Sequence, residues 1–159
     1  MPKIISYLSQ QSPIIQEDDW QVLRISSSEE KVELPDGKFL VPFSTWIDSH
    51  EQSSWQAKIA RQEIGVWFGV EDDVQELLPS MQSFLQQWPL IAIDFPIYRD
   101  GRGFSTAAIL RKRAAWQGEI RAIGDVLVDQ LIQMARVGFD TFALRADQSL
   151  EEGLAQFSI

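Results

Sequence analysis

Leu90-Ile91-Ala92-Ile93-Asp94-Phe95-Pro96-Ile97-Tyr98-Arg99-Asp100-Gly101-Arg102-Gly103-Phe104-Ser105 is the stretch whose reading decides the fold. Leu90 to Phe95 is a short, nearly unbroken apolar run, as expected of a strand covered on both faces. It runs into a loop dense in Asp, Arg and Gly, and a helix follows from about Phe104 to Ala115. A loop that only packs needs no such residues. Glycine lets a ligand approach the backbone, and arginine neutralises an anion.

The same strand–helix unit recurs on both sides. Ile64 to Val70 is another buried-type strand. Val74, Leu77, Leu78, Met81, Phe84, Leu85 and Trp88 follow it at helical spacing. Pro79 lies inside that pattern, so the helix kinks or begins there. Glu119 to Ile123 reads as a third strand. Asp125 is placed to cap a helix with the stripe Leu127, Val128, Leu131, Ile132, Met134 and Ala135. Gly138 ends that helix, Phe139 to Leu144 is a fourth strand, and a weak helix starts near Ser149. The fold class is α/β, with a four-strand parallel βαβαβαβ core and right-handed crossovers. Four such strands suit an open sheet or half of a (β/α)8 barrel, and periodicity does not separate the two. In either, ligands gather at the carboxyl ends of the strands. That edge collects Gly69, Asp94 with the loop to Ser105, Gly124-Asp125 and Arg145.

A β-rich segment precedes this core. Trp20 to Ile25 alternates, and Val32 to Val41 reads as a hairpin turning at Asp36-Gly37. Pro42 opens a short helix expected to carry Phe43, Trp46 and Ile47 inward. Residues 48–62 read as partly helical, with Trp55 and Ile59 on one face. The expected organisation is one domain: residues 1–62 hairpin and short helices, 63–145 repeat core, 146–159 tail.

The chain has no cysteine, which excludes disulfides, iron–sulfur ligation and thiol chemistry. One histidine, His50, in a polar stretch that reads as surface, rules out a multi-histidine metal site. No run reaches the length of a membrane span, and the start carries no signal-peptide pattern, which sets a cytoplasmic expectation. The net charge of -9 argues against nucleic-acid binding. Residues 99–136 nevertheless carry about +3, so the rest carries about -12. Such a local patch suits a small oxyanion or an acidic partner surface.

Each candidate site residue has two readings. Arg99, Gly101, Arg102, Gly103 and Ser105 form either a loop fixed by its own ion pairs or an anion pocket completed by backbone N–H groups at the helix start. Asp94 and Tyr98 are the candidate acid–base groups; the plainer reading has Asp94 bonding the turn and Tyr98 packing. Arg121 joins the pocket if it faces the ligand edge; the plainer reading is a structural ion pair. Arg111-Lys112-Arg113 reads as a solvated helix face, with docking of an acidic partner as its functional reading. Gly101-x-Gly103 matches neither the Walker pattern nor the full dinucleotide fingerprint, so no cofactor is expected.

The run Phe95 to Ser105, followed by Leu110-Arg111-Lys112-Arg113, Gly118 to Val126, Asp129-Gln130 and Arg136 to Asp140, resembles the bacterial family catalogued as domain of unknown function 934. The likeness covers roughly residues 60–145. Members of that family are described as oxidoreductases, and their genes lie beside those of assimilatory sulfite reductase and activated-sulfate reduction. The resemblance implies a role in sulfur assimilation and supplies no catalytic residues. The leading expectation is therefore an accessory protein that binds sulfite reductase or a related enzyme. The alternative is a small enzyme or sensor for an oxyanion or sulfur nucleotide. Exposed sheet edges and the six tryptophans point to a homodimer; the alternative is a monomer in which the N-terminal hairpin and short helix cover the edge.

Overall fold

The computed structural model describes residues 2–8, 12–25, 31–97 and 101–158. Its eight strands are β1 (Lys3–Ser6), β2 (Ile14–Glu17), β3 (Trp20–Val22), β4 (Lys38–Pro42), β5 (Ile64–Phe68), β6 (Leu90–Phe95), β7 (Glu119–Gly124) and β8 (Thr141–Phe142). The helices are α1 (Phe43–Ser49), α2 (Ser53–Ala60), α3 (Val74–Met81), α4 (Arg102–Lys112), α5 (Leu131–Arg136) and α6 (Leu150–Ala155).

All eight strands form one sheet in the order β2-β1-β8-β7-β6-β5-β4-β3. From β3 to β8 each strand pairs in parallel with the next in sequence. The order never reverses, as it must in a doubly wound sheet. β1 adds antiparallel to β8, and β2 antiparallel to β1.

The sheet curls into a half-barrel-like shape for a simple reason. Its two outermost strands, β2 and β3, are consecutive in the chain and joined only by Asp18-Asp19. In a flat sheet seven strand spacings would separate them by about 34 Å. The link spans at most about 11 Å between Cα atoms. A flat sheet is therefore impossible.

Strand alternation sorts the apolar side chains onto the two faces. Ile91, Ile93 and Phe95 of β6 join the large outer core with Val66, Phe68, Ile120 and Phe142. Leu90 and Ala92 form a second, smaller cluster with Leu40 and Ile123 on the concave face. Small residues are needed where the curl crowds that face. A Cβ on Gly65 would lie 2.8 Å from the Leu90 carbonyl and 2.9 Å from Leu40.

Several expectations change. The parallel core holds six strands rather than four. Val32 to Val41 is not a hairpin: only Lys38–Pro42 is a strand, and it lies parallel between β3 and β5. The turn at Asp36-Gly37 (Gly37 φ +121°) exists, but it delivers the chain to a strand whose partners are distant in sequence. The residues before it are held by α1 and α2 instead, through Val32 N–H to Ser49 Oγ (2.9 Å) and Trp55 Nε1–H to the Val32 carbonyl (2.6 Å). The antiparallel hairpin of this segment is β1–β2.

Phe43 and Trp46 face inward as expected, whereas Ile47 is 42% exposed. His50 is not a free surface group. Its ring stacks on Trp46 at 5.5 Å and meets Phe84 edge-on. Asp125 does not cap a helix; it pairs with Arg145 at 2.9 Å, and α5 begins after a short 3-10 turn over Val128–Gln130. β8 is only two residues long. α3 passes through Pro79 and ends at Met81.

Arg111 departs most from its sequence reading. Far from being solvated, it ties three segments together. Its guanidinium donates to the carbonyls of Trp116 (2.9 Å), Gly118 (2.7 Å) and Gly138 (2.6 Å), and to Asp140 Oδ2 (2.7 Å). Asp140 Oδ2 also accepts from the Ile120 N–H at 3.0 Å. Gly138 has φ +113°, and a Cβ there would lie 2.9 Å from Arg111 Nε. Glycine is thus required twice over. Arg111→Met keeps the stem but leaves Asp140 and three carbonyls without this donor. It should lower stability by roughly 2–4 kcal/mol in urea unfolding. A loss under about 0.5 kcal/mol, the size of an ordinary surface substitution, would show that Arg111 is not a structural clamp.

Candidate functional site

β4, β5 and β6 end side by side, and beyond their carboxyl ends lies a cleft of about 320 Å³. Its floor is Trp67 and Asp94 on the concave face, and its wall is the β5–α3 connection from Gly69 to Asp72. Asp94 is only 7% exposed. Its Oδ1 accepts from Arg24 Nη2 at 2.8 Å. Arg24 lies just beyond β3 with its guanidinium carbon 5.3 Å from the Trp67 ring centroid. Trp67 is fixed in turn by its Nε1–H bond to the Leu23 carbonyl at 3.0 Å. Gly124 makes room for the carboxylate. It has φ +89°, and a Cβ there would lie 2.5 Å from Asp94 Oδ1 and 2.7 Å from the Phe95 carbonyl.

The wall carries its own carboxyl groups. Asp72 Oδ2 accepts from the Gly69 N–H at 2.7 Å. Burial pushes the Asp72 pKa up, the Gly69 bond opposes this, and the charge of Glu71 adds to the rise. Asp73 caps α3 by accepting from the Glu76 N–H at 3.3 Å. On the far side of the wall a second cleft, of about 270 Å³, is bounded by the first turns of α4, with Arg102, Ser105 and Thr106 facing Glu71, Asp72 and Asp73. Further round the same edge Arg145 bridges Asp125 (2.9 Å) and Asp147 (2.6 Å) and holds the Asp147 carboxyl below its ordinary range.

The sequence-derived candidates are therefore divided. Asp94 lines the first cleft; Arg102 and Ser105 line the second. Gly101 is exposed with nothing within 4 Å of where its Cβ would be, so it leaves the start of α4 open. Gly103 does not admit a ligand: it is buried with its Cα against the Phe95 ring, where a Cβ would clash. Its role is the close approach of α4 to β6. Tyr98 and Arg99 lie outside the described residues. Arg121 sits on the concave face level with Ala92, about 7 Å back along the sheet from Asp94. It is 4% exposed, donating to Asp18 (2.9 Å), Glu119 (3.1 Å) and Thr141 (3.1 Å). That is the structural ion pair, not part of an anion pocket.

Arg24, Trp67 and Asp72 are the site residues that sequence reasoning missed. Among the described residues no group of three or more carboxylates or histidines is arranged to hold a metal ion. Clefts of about 390 and 440 Å³ lie at the opposite edge, around Gln117 and Gly118. Their charged lining includes Arg111 and Asp140, which bond each other. The smaller cleft at the strand carboxyl ends is the better candidate, because it lies at the edge where βα folds gather ligands and is lined by the buried Asp94 carboxylate.

A family model matches residues 65–159. The chain belongs to that family, described as a bacterial protein of unknown function (DUF934). No curated protein and no solved structure gives a significant match. The matched part of this DUF934 chain runs from β5 to the last turn. It supplies Trp67, the Gly69–Asp72 wall, Asp94, Arg102 and Gly124. Arg24, Pro42 and Thr45 come from the segment before it, so the first cleft lies across the boundary of the match.

The Asp72 shift has a definite sign. A raised folded value means that the folded protein keeps this proton to higher pH than the unfolded chain does. The group's favourable contribution is full below its ordinary value of 3.8 and is lost as pH rises through the higher folded value. Asp72→Asn keeps an acceptor for Gly69 and removes the titration. Relative to the native chain it should gain stability in urea unfolding as pH rises above about 3.8. Parallel stability–pH curves for the two proteins would contradict this.

Proposed function

We propose that this protein is an accessory protein of assimilatory sulfate or sulfite reduction, working through α4 and the carboxyl edge of the sheet. The pathway comes from the sequence resemblance. The docking surface rests on one observation: Arg102 at the start of α4 and Arg113 just past its end, eleven residues apart, are both exposed. Eleven residues is three helical turns, so the two positions share one side of the helix about 16 Å long. Lys112 is exposed beside them. On a chain of net charge -9 these cations make α4 locally basic, suited to an acidic surface of a reductase.

A second reading is favoured by the buried carboxylate at the first cleft. In it the protein is a small ligand-binding enzyme or sensor, with Asp94 as its working group. An oxyanion would find the open start of α4 at Gly101 and Arg102 rather than the first cleft, whose described lining adds Glu71 and Asp72 to Asp94.

Two measurements separate the readings. Deletion of the gene should slow growth on sulfate and not on cysteine, and tagged protein should capture a sulfur-assimilation enzyme. Reversing both charges, Arg102→Glu with Arg113→Glu, should weaken that capture at least about tenfold under the docking reading. Under the second reading Asp94→Asn abolishes complementation while capture stays intact. Normal growth of the deletion strain on sulfate, together with no enriched reductase, would overturn the pathway assignment.

A further inference from the structure

The seat in front of Asp94 is already occupied by a cation from this same chain. Arg24 places its guanidinium 2.8 Å from a carboxylate that is 7% exposed, and 5.3 Å from the centre of the Trp67 ring. A buried carboxylate beside a half-buried aromatic face is an arrangement that holds organic cations. Gly124 shapes the seat, since no side chain fits there. Among the described residues, the remaining charged groups lining the cleft, Glu71 and Asp72, are acidic. Arg24 itself is loosely placed. Its side chain is 50% exposed, and it follows a three-residue strand at the sheet edge. Withdrawing it frees Asp94 Oδ1 and the Trp67 face, both on residues that line the cleft.

We propose that this cleft binds a small organic cation, bearing a guanidinium or primary ammonium group, and that Arg24 is an internal stopper which the ligand displaces. The incoming cation takes Arg24's place between Asp94 and Trp67. Glu71 and Asp72 supply further attraction, and Ser44, also in the lining, accepts hydrogen bonds from the rest of the ligand. A volume of about 320 Å³ is at the small end for ligand sites, which suits a short amine. Competition from Arg24 weakens binding: a stopper seated nine-tenths of the time lowers the apparent affinity about tenfold. This inference is independent of the pathway, so a normal growth phenotype would leave it standing.

The test is calorimetric titration of the full chain with agmatine and methylguanidinium chloride, and with sodium sulfate and sulfite as opposite-charge controls. The native protein should bind agmatine saturably and neither anion. Arg24→Ala should bind it about tenfold tighter. Trp67→Leu should weaken it severalfold. Asp94→Asn leaves Arg24 without its partner and is at risk of misfolding; the double variant Arg24→Ala with Asp94→Asn removes both charges and should not bind. A direct readout of displacement is the Arg24 Nε–H resonance of the native protein, which should move to the position of a solvated arginine on saturation. Arg24→Ala binding no tighter than the native chain, agmatine binding retained in the double variant, or saturation without movement of the Arg24 resonance would each overturn the proposal.

Discussion

Two residues set the shape of this molecule. Asp18 and Asp19 join strands that lie at opposite edges of an eight-strand sheet. A link of about 11 Å cannot bridge the width of a flat sheet, so curvature is enforced by connectivity. The link is held down as well as short. Asp18 donates its N–H to the Pro2 carbonyl at 2.9 Å, its side chain takes the charge of Arg121, and Asp19 pairs with Lys38 at 3.3 Å. The ion-pair network on the concave face thus anchors the element that forces the curl. Burying Arg121 carries a desolvation cost, and two carboxylates with a threonine hydroxyl offset it.

Curvature then decides where chemistry is placed. It brings the ends of β3 to β6 together around a hollow, so Arg24, Trp67 and Asp94 meet although they are scattered through the chain. A flat sheet would leave the same side chains in a row on an open surface. The outer face has no such role. It carries the large aromatic core, in which Trp46, Trp88, Phe43, Phe68 and Phe84 pack edge to face.

The sequence made the repeating part of this fold legible and left the rest obscure, for identifiable reasons. Strands β5 and β6 announce themselves because both faces are covered, giving short runs such as Leu90 to Phe95, whereas β7 reads more weakly because Glu119 and Arg121 interrupt it. The Gly138 turn was readable from local chemistry and has the left-handed backbone expected of it. The hairpin at Asp36-Gly37 failed because a turn dipeptide says where a chain bends, not which strand it will meet. Arg111 was misread because a basic triplet on a helix looks solvated until carbonyls from distant loops are brought to it. At the site, Asp94 was legible from its position at a strand end. Its partner Arg24 was not: seventy residues separate them, and no local pattern marks an arginine that must reach across a curled sheet. Gly103 shows the opposite error, where a glycine in a suggestive loop serves helix–strand packing.

The pairing of β1 with β8 has a consequence for how the molecule assembles. Ile5 lies opposite Phe142, so β1 waits for a strand made well over a hundred residues later. Until then β1 and β2 can at most pair with each other, and such an isolated two-stranded hairpin is marginal in water. The six parallel strands, by contrast, add in the order in which they are synthesised, each against the one before. In the finished sheet β1 closes, antiparallel, the β8 edge of a parallel array that runs in sequence order from β3. Until β8 is made, the edge of β1 that meets it has no native partner, a state open to mispairing.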